Sequence, residues 1–202
     1  VIYNFVDVER FQKKPFDAFR KVIAPNGERI VLHASNFRKL KRVQDVVKIF
    51  SNIIREVPSK LLFVGDGPER VTAEALCREL NLCDHIQFVG KQEQMEDILA
   101  IADLFLLTSE YESFGLAALE AMAAGVPVVS TNAGGLSEIN INGETGYMGD
   151  VGDVAEMSKR SVEILKDKEI LDGFKKRAAC HARRFDIHTI VPLYEKLYER
   201  FL

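Results

Sequence analysis

The sequence predicts an α/β fold, a Rossmann-like parallel sheet with helices on both faces, and two observations support this prediction. Short apolar runs of strand length alternate with segments of helical periodicity along most of the 202 residues. Polar or glycine-containing loops follow these apolar runs. Because crossovers between parallel strands are right-handed, we expect those loops to meet at one edge of the sheet.

Composition and charge are those of an ordinary globular chain. The hydrophobic fraction is 47% and the net charge is −3, which gives no electrostatic case for nucleic acid or an acidic membrane as a partner. No apolar run approaches ~18 residues, so we expect no membrane span, and no signal peptide is visible. The odd number of cysteines indicates reduced thiols in a cytoplasmic protein. The cysteines show no CxxC spacing, and the histidines show no metal-ligand spacing. Reduced thiols and packed or surface histidines are therefore favoured over a metal site.

The predicted elements follow from periodicity and from turn residues. We predict strands at 30–34, 61–64, 86–89, 104–107, 128–130 and 147–148. We predict helices at 43–57, 68–80, 95–102, 116–124, 136–141, 154–165, 169–184 and 189–201. Residues 1–7 read as a short strand, and residues 8–29 as loops with at most one helical turn, since they contain Pro15 and Pro25. Asp153 is expected to cap the helix that follows it, with Glu156 completing a capping box.

The stretch from Thr108 to Pro127 carries the clearest site signal. It follows an apolar run, turns through Gly115 into a short helix, and places a helix N-terminus at the end of a strand, where phosphate groups bind. Glu112 lies in the turn and Glu120 lies within the helix, with seven residues between them. The helix around Glu120 is apolar nearly all round, and an ionised group there is costly without a partner. A ligand-binding role is therefore favoured over a solvated glutamate.

Other polar loops are predicted to meet at the same sheet edge. They are 35–42, 65–67, 90–91, 110–115 and 131–135. The first loop contains Arg38, Lys39, Lys41 and Arg42, which fit either a diphosphate clamp or a solvated basic loop. No GxGxxG, GxxxxGK[ST] or GxSxG pattern occurs, which argues against a dinucleotide dehydrogenase, a P-loop kinase and an α/β-hydrolase.

Together these motifs resemble the retaining glycosyltransferases of family 4, which have the GT-B fold. The E-x7-E pair from Glu112 to Glu120 is the central likeness. Further matching segments are 2–7, the basic loop ending at Lys41, 64–68, 88–90, 134–138 and 142–146. The resemblance implies that residues 1–202 form one domain, the sugar-nucleotide-binding half of the enzyme. Residues 1–7 would enter from a missing N-terminal domain, and a helix at about 187–202 would cross back to it. Its aromatic residues Tyr194, Tyr198 and Phe201 would then be partly exposed, unless they pack on this domain.

The resemblance also implies roles for individual residues. Glu112 and Lys41 would be the catalytic pair, Glu112 holding donor-sugar hydroxyls and Lys41 the diphosphate as charge builds on it. Glu120 would bind the ribose hydroxyls, and the N–H groups of Gly115 and Leu116 the distal phosphate.

The resemblance also implies contacts to the uracil, and it leaves one phosphate contact open. Val89, Gly90 and Lys91 would contact the uracil, and Gly65 and Phe114 complete the implied nucleotide-sugar site. Many relatives carry arginine where this chain has Asn36. Either Arg38 replaces that arginine or Asn36 contacts the phosphate itself, and the sequence leaves both open.

The implied chemistry is transfer with retention. A narrower likeness within the family, carried by residues 35–38 and 4–7, implies UDP-N-acetylglucosamine as donor and L-malate as acceptor. No metal or other cofactor is expected, because no DxD motif is present. The alternatives are a UDP-N-acetylglucosamine epimerase, against which Phe114 and Gly115 within the E-x7-E stretch argue, and a non-catalytic nucleotide-sugar-binding module. The 202-residue chain alone is expected to bind UDP weakly without transferring sugar. Its oligomeric state stays open, a homo-oligomer included.

Overall fold

The computed structural model describes residues 1–14 and 16–201 and confirms the predicted Rossmann-like α/β fold. In the described residues one parallel sheet contains β1 (Arg29–Ser35), β2 (Ser59–Gly65), β3 (Ile86–Gly90), β4 (Leu104–Leu107), β5 (Val128–Thr131) and β6 (Gly146–Gly149). The strand order is β3-β2-β1-β4-β5-β6, and the connection direction reverses between β1 and β4. Ligands of doubly wound sheets bind outside the carboxyl ends of the strands at such a reversal.

The helices follow the strands nearly as predicted. They are α1 (Val8–Phe11), α2 (Asp17–Ile23), α3 (Val43–Glu56), α4 (Arg70–Glu79), α5 (Met95–Ile101), α6 (Leu116–Ala123), α7 (Leu136–Ile139), α8 (Val154–Lys166), α9 (Lys168–Ala182) and α10 (Ile187–Tyr198). Short 3₁₀ turns at Lys39–Lys41 and Arg183–Phe185 complete the order. No helix among these is long and apolar enough to cross a membrane.

The sheet is buried on both faces by two separate cores. Ile30 and Leu32 pack into one core with α5 and α6, whereas Val31 packs into the other with α3 and α4. Strands covered on both faces need apolar side chains in both directions. This is why the central strands appear in the sequence as largely apolar runs, whereas the edge strands β3 and β6 are less completely buried.

The predictions for the N-terminal residues were wrong. Residues 1–7 form no strand, and Val6 alone makes an isolated parallel bridge to Asp186. Residues 8–29 contain two helices rather than loops, α1 beginning where the Asp7 carboxylate accepts a 3.1 Å hydrogen bond from the Arg10 N–H. Helix α1 buries Val8 and Phe11. Helices this short are stabilised by tertiary packing, which periodicity does not reveal. The loop position predicted at Pro15 lies outside the described residues.

Two predicted helix starts have different outcomes. Helix α4 begins at Arg70 rather than at Pro68, because the Glu69 N–H donates to the Phe37 carbonyl at 2.9 Å and holds the preceding residues in a turn. The cap at Asp153 is confirmed, its carboxylate accepting from the Glu156 N–H at 3.0 Å. The Glu156 side chain instead pairs with Arg160 on the next helical turn.

The first and last segments of the chain meet in a cluster that we call the terminal junction, formed by Tyr3, Val6, Phe185 and Tyr194. Val6 N–H donates to the Phe185 carbonyl at 2.9 Å, and the Tyr194 hydroxyl lies 3.3 Å from the Tyr3 carbonyl. Tyr194 is therefore half-buried on this domain. The other two C-terminal aromatic residues, Tyr198 and Phe201, are 63% and 81% exposed, and the crossing of this helix to another domain stays a prediction.

Candidate active site

A cavity of about 310 Å³ lies where β1 and β4 separate at the carboxyl edge of the sheet. Six predicted site residues line it: Asn36, Lys41, Glu112, Phe114, Gly115 and Leu116. A larger, mainly apolar cavity of about 620 Å³ lies beside β3, between Phe19 and Val89. We place the site in the smaller cavity because it combines a cation, a carboxylate and a helix N-terminus.

Helix α6 presents its N-terminus to this cavity. Gly115 precedes the helix with φ +91°, a left-handed conformation that favours glycine, and its carbonyl accepts the first helical hydrogen bonds from Ala118 and Leu119 at 2.9 and 3.0 Å. The N–H groups of Leu116 and Ala117 precede these bonds and have no acceptor within the helix. Together with the helix dipole they favour an anion at this position.

Lys41 and Glu112 form a mostly buried ion pair at the cavity wall. The distance from Lys41 Nζ to Glu112 Oε1 is 2.5 Å, and the two side chains are 16% and 14% exposed. Ser109 Oγ donates to the same carboxylate oxygen at 2.8 Å. The two segments that carry these side chains are also held together, because the Thr108 hydroxyl donates a hydrogen bond to the Lys41 carbonyl oxygen at 2.8 Å. The sequence indicated each residue separately, but it gave no signal for this contact across 71 positions.

Two glycines support the turn that carries Glu112. Gly135 N–H donates to the Glu112 carbonyl at 2.8 Å. A side chain at Gly134, where φ is +58°, would place its Cβ 2.0 Å from that carbonyl oxygen. The loop 131–135 was predicted to reach this edge of the sheet, and it does. Its backbone contacts the backbone of Glu112 and so helps to fix the position of the carboxylate.

A buried histidine fixes one wall of the cavity. His33 Nδ1 lies 2.9 Å from the Leu106 carbonyl, which can only accept, so Nδ1 carries the proton. Nε2 then accepts from the Ser35 hydroxyl at 2.8 Å. Burial lowers the pKa of His33 to about 4, so that it is neutral at neutral pH. The prediction of a packed histidine is confirmed for His33, but its cavity-lining partner Ser35 was missed.

Other predicted residues do not line the cavity. Arg38 and Asn36 are both exposed, but only Asn36 lines the cavity. Gly65 presses against β1, where an added Cβ would meet the Ser35 carbonyl oxygen at 1.8 Å. Gly90, with φ +70°, has open space around it, and Lys91 is exposed.

Glu120 lies one turn further along α6 than Leu116 and is half-buried. Burial raises the pKa of its carboxyl above the usual value; the Arg10 charge opposes this rise and the Glu96 charge adds to it. The neighbouring charges therefore do not offset the full free-energy cost of ionising the buried Glu120 carboxyl. That is the situation in which a hydrogen-bonding ligand contributes most.

No group of three or more potential metal-ligating His, Cys, Asp or Glu side chains occurs in residues 1–14 and 16–201. The expectation that the reaction uses no metal or other cofactor stays a prediction. The site as described offers N–H donors and an ammonium group for an anion, and a carboxylate for hydroxyl groups.

The comparisons with known proteins identify the class of protein. The model of the family "Glycosyl transferases group 1" matches residues 15–181. The chain belongs to this family. The predicted family-level resemblance is thereby confirmed, and nothing in the comparisons favours the epimerase alternative.

Several individual members of the family are similar to this chain. The chain is 43% identical over 199 residues to the N-acetyl-alpha-D-glucosaminyl L-malate synthase of Bacillus anthracis, covering 98% of this chain and 52% of that protein. It is 32% identical over 161 residues to the 2-deoxystreptamine N-acetyl-D-glucosaminyltransferase of Niallia circulans, covering 74% and 40%. Among solved structures, Anabaena Alr3699/HepE in complex with UDP matches with a TM-score of 0.89 at 26% identity, covering 98% of this chain and 57% of that one. The chain thus spans about half the length of the relatives that it matches.

Proposed function

We propose that this chain is the donor-binding domain of a retaining glycosyltransferase that moves N-acetylglucosamine from UDP-N-acetylglucosamine to L-malate. The observation that carries the proposal is the cavity at the β1–β4 reversal. It combines the Lys41 ammonium group, the N-terminus of α6 and the Glu112 carboxylate. A nucleoside diphosphate sugar presents the complementary groups, a diphosphate beside sugar hydroxyls.

The leaving diphosphate would bind to the N–H groups of Gly115 and Leu116 and to Lys41. As the bond from the anomeric carbon to the phosphate oxygen breaks, negative charge grows on that oxygen. A preorganised ammonium group and helix N–H donors stabilise such charge more strongly in the transition state than in the ground state. Asn36, which lines the same cavity, would contribute an amide to the phosphate site.

Glu112 would orient the donor sugar. Its Oε1 atom is already bonded to Lys41 and Ser109, so the Oε2 atom would accept hydrogen bonds from sugar hydroxyls. We assign it no covalent role. The retained stereochemistry would come from front-face transfer, in which the leaving phosphate takes the proton of the acceptor hydroxyl as that hydroxyl attacks.

The nucleoside would bind further along the sheet edge. Glu120 would accept hydrogen bonds from the ribose hydroxyls, and the backbone of Val89, Gly90 and Lys91 would contact the uracil. The raised pKa of Glu120 supports this role, since hydroxyl donors would offset the cost of its burial.

The choice of substrates rests on the relatives. Two of these relatives are named for N-acetylglucosaminyl transfer, and the 43% identical relative is named as an L-malate synthase of this kind. The acceptor site would lie mainly on an N-terminal domain, which is the partner that we propose for this chain. The exposed aromatic side chains of Tyr198 and Phe201 would then contact that domain. We propose a cytoplasmic enzyme that binds neither nucleic acid nor membrane, and leave homo-oligomer formation open.

Calorimetric titration with UDP, UDP-N-acetylglucosamine and ADP, without divalent metal, tests the donor assignment. We expect the uridine ligands to bind and ADP to bind more weakly or not at all. Lys41→Ala is expected to weaken UDP binding by roughly tenfold or more, because a charge-assisted hydrogen bond is lost. Lys39→Ala in the same basic loop is the matched control, since Lys39 does not line the cavity. Equal affinity for ADP and UDP, or equal effects of both substitutions, would contradict the proposal.

A further inference from the structure

Two thiols lie in contact at the edge of the sheet furthest from β6. Cys77 Sγ on α4 is 3.7 Å from Cys83 Sγ, which lies in the segment just before β3. The end of α4 produces this contact: Asn81 adopts the left-handed conformation with φ +55°, and the Leu82 N–H donates to the Cys77 carbonyl at 2.9 Å. This arrangement reverses the chain at a helix C-terminus. It carries Cys83 back over the last turn of α4.

The two thiols differ in their access to solvent. Cys77 is 3% exposed, whereas Cys83 is exposed. Burial, together with the hydrogen bond to Cys83, raises the pKa of Cys77 to about 12, so Cys77 is a poor nucleophile as long as both thiols are reduced. A cavity of about 160 Å³ is lined by both cysteines, Arg78 and Phe88, and gives a small reagent access to the pair.

We propose that Cys77 and Cys83 form a reversible intrachain disulfide by exchange with a low-molecular-weight disulfide. The Cys83 thiolate attacks one sulfur of the reagent, whose S–S bond breaks and releases one thiolate. Cys77 then loses its proton to solvent and attacks the Cys83 sulfur of the mixed disulfide, which releases the second thiolate. One small disulfide is reduced to two thiols and the two protein thiols are oxidised, so that atoms and electrons balance without a further reagent.

The surroundings of the pair permit the second step. The sulfurs must approach from 3.7 Å to about 2.05 Å, and Cys83 lies in an exposed turn that can adjust, while Cys77 is held by the helix. The bond would join the end of α4 to the start of the edge strand β3. Ile86 begins that strand, at the opposite end from the loops that surround the candidate active site. The disulfide is therefore expected to stabilise the edge of the sheet without altering the nucleotide cavity.

The experiment incubates the folded chain with oxidised glutathione, quenches it with acid, and counts alkylated thiols by mass spectrometry after denaturation. We expect Cys77 and Cys83 both to lose their label and to be joined in one cross-linked peptide that is lighter by two hydrogens and carries no glutathione; Cys180 is also exposed, so its own label is scored separately. Thermal unfolding is expected to shift upward by roughly 5 °C and to return after reduction. UDP affinity serves as an independent check that the fold is intact.

Variants separate the two steps. Cys77→Ser is expected to stop at Cys83 with one glutathione attached, because the resolving thiol is absent. Cys83→Ser is expected to leave Cys77 unmodified, because Cys77 is buried. Cys180→Ser is the matched control and is expected to form the disulfide as the unchanged chain does. A stable glutathione adduct on the unchanged chain, modification of Cys180 alone, or disulfide-linked dimers would overturn the proposal.

Discussion

One carboxylate oxygen connects the residues of the candidate site. Glu112 Oε1 accepts hydrogen bonds from both Lys41 and Ser109, so the ammonium group that we assign to the diphosphate is already bound to a protein anion. An incoming phosphate must compete with Glu112 for Lys41. The two members of the pair are therefore expected to affect nucleotide binding in opposite directions.

We predict that Glu112→Gln tightens UDP binding several-fold, because it removes the charge that competes for Lys41. In a full-length enzyme the same change is expected to lower kcat by roughly a hundredfold, since an amide orients the sugar less strongly. Titration calorimetry of this chain and initial rates of the full-length protein measure the two effects. Glu110→Gln is the control, because that carboxylate is more exposed and pairs with Arg42 instead. Weaker UDP binding by Glu112→Gln would contradict the competition.

His33 makes stability depend on pH. Its pKa is about 4 in the folded protein and about 6.5 when exposed, so the unfolded chain binds a proton that the folded chain excludes. The stability contributed by neutral His33 is present above pH 6.5 and is lost as the pH falls from about 6.5 to 4, by roughly 3 kcal/mol. Urea unfolding between pH 7 and pH 4 measures this loss. His33→Phe is expected to remove that part of the pH dependence, and an unchanged pH slope in this variant would refute the assignment.

At the scale of elements, the support of one loop by another sets the position of Glu112. We predict that Gly134→Ala lowers UDP affinity and destabilises the fold by roughly 2 kcal/mol. Its Cβ meets the Glu112 carbonyl oxygen at 2.0 Å, and its φ is +58°. Gly143→Ala is the control, since φ is +79° there but no atom lies within 4 Å. It carries the conformational cost without the collision, so UDP affinity is expected to be unchanged. Equal affinity losses would show that backbone strain alone is responsible.

Strands and long helices could be predicted from the sequence because the spacing of apolar residues over a few positions shows which faces are buried. The apolar runs of β1 and β4 and the amphipathic pattern of α3 each appear within a few residues. Helices α1 and α2 could not be predicted, because they are short and owe their stability to packing on elements more than seventy residues away. The isolated bridge at Val6 was missed for the same reason.

The candidate site likewise combines features that the local sequence indicated with contacts that depend on distant parts of the chain. The E-x7-E spacing and the turn at Gly115 are local, and they marked the helix N-terminus correctly. The contact between Lys41 and Glu112, the hydrogen bond from Ser35 to His33 and the backbone support at Gly134 depend on which strands are neighbours. Periodicity predicts that strands pair, but it does not give the distances between side chains on their loops.

At the scale of the whole molecule, nucleotide binding and catalysis are expected to separate. The chain spans about half the length of its relatives, and under the proposed function the acceptor site lies mainly on the other half. We predict that the 202-residue chain binds UDP with measurable affinity but transfers no sugar. Incubation with UDP-N-acetylglucosamine and L-malate, followed by assay of released UDP, measures transfer. The full-length protein under the same conditions is the positive control, and turnover by the 202-residue chain would disprove the division.

The terminal junction has a further consequence for how the chain can be cut and rejoined. Val6 N–H donates to the Phe185 carbonyl and the Tyr194 hydroxyl lies against the Tyr3 carbonyl, so the segment from residue 3 to residue 6 lies beside the segment from residue 185 to residue 194. A flexible linker between these two segments would join them on one side of the molecule. New ends opened at the exposed turn Asn142-Gly143 would interrupt the isolated bridge between Asn142 and Gly146 but leave the pairings among strands β1 to β6 in place. The order of the elements along the chain is thus separable from their arrangement in space, and a circularly permuted form is expected to fold to the same sheet.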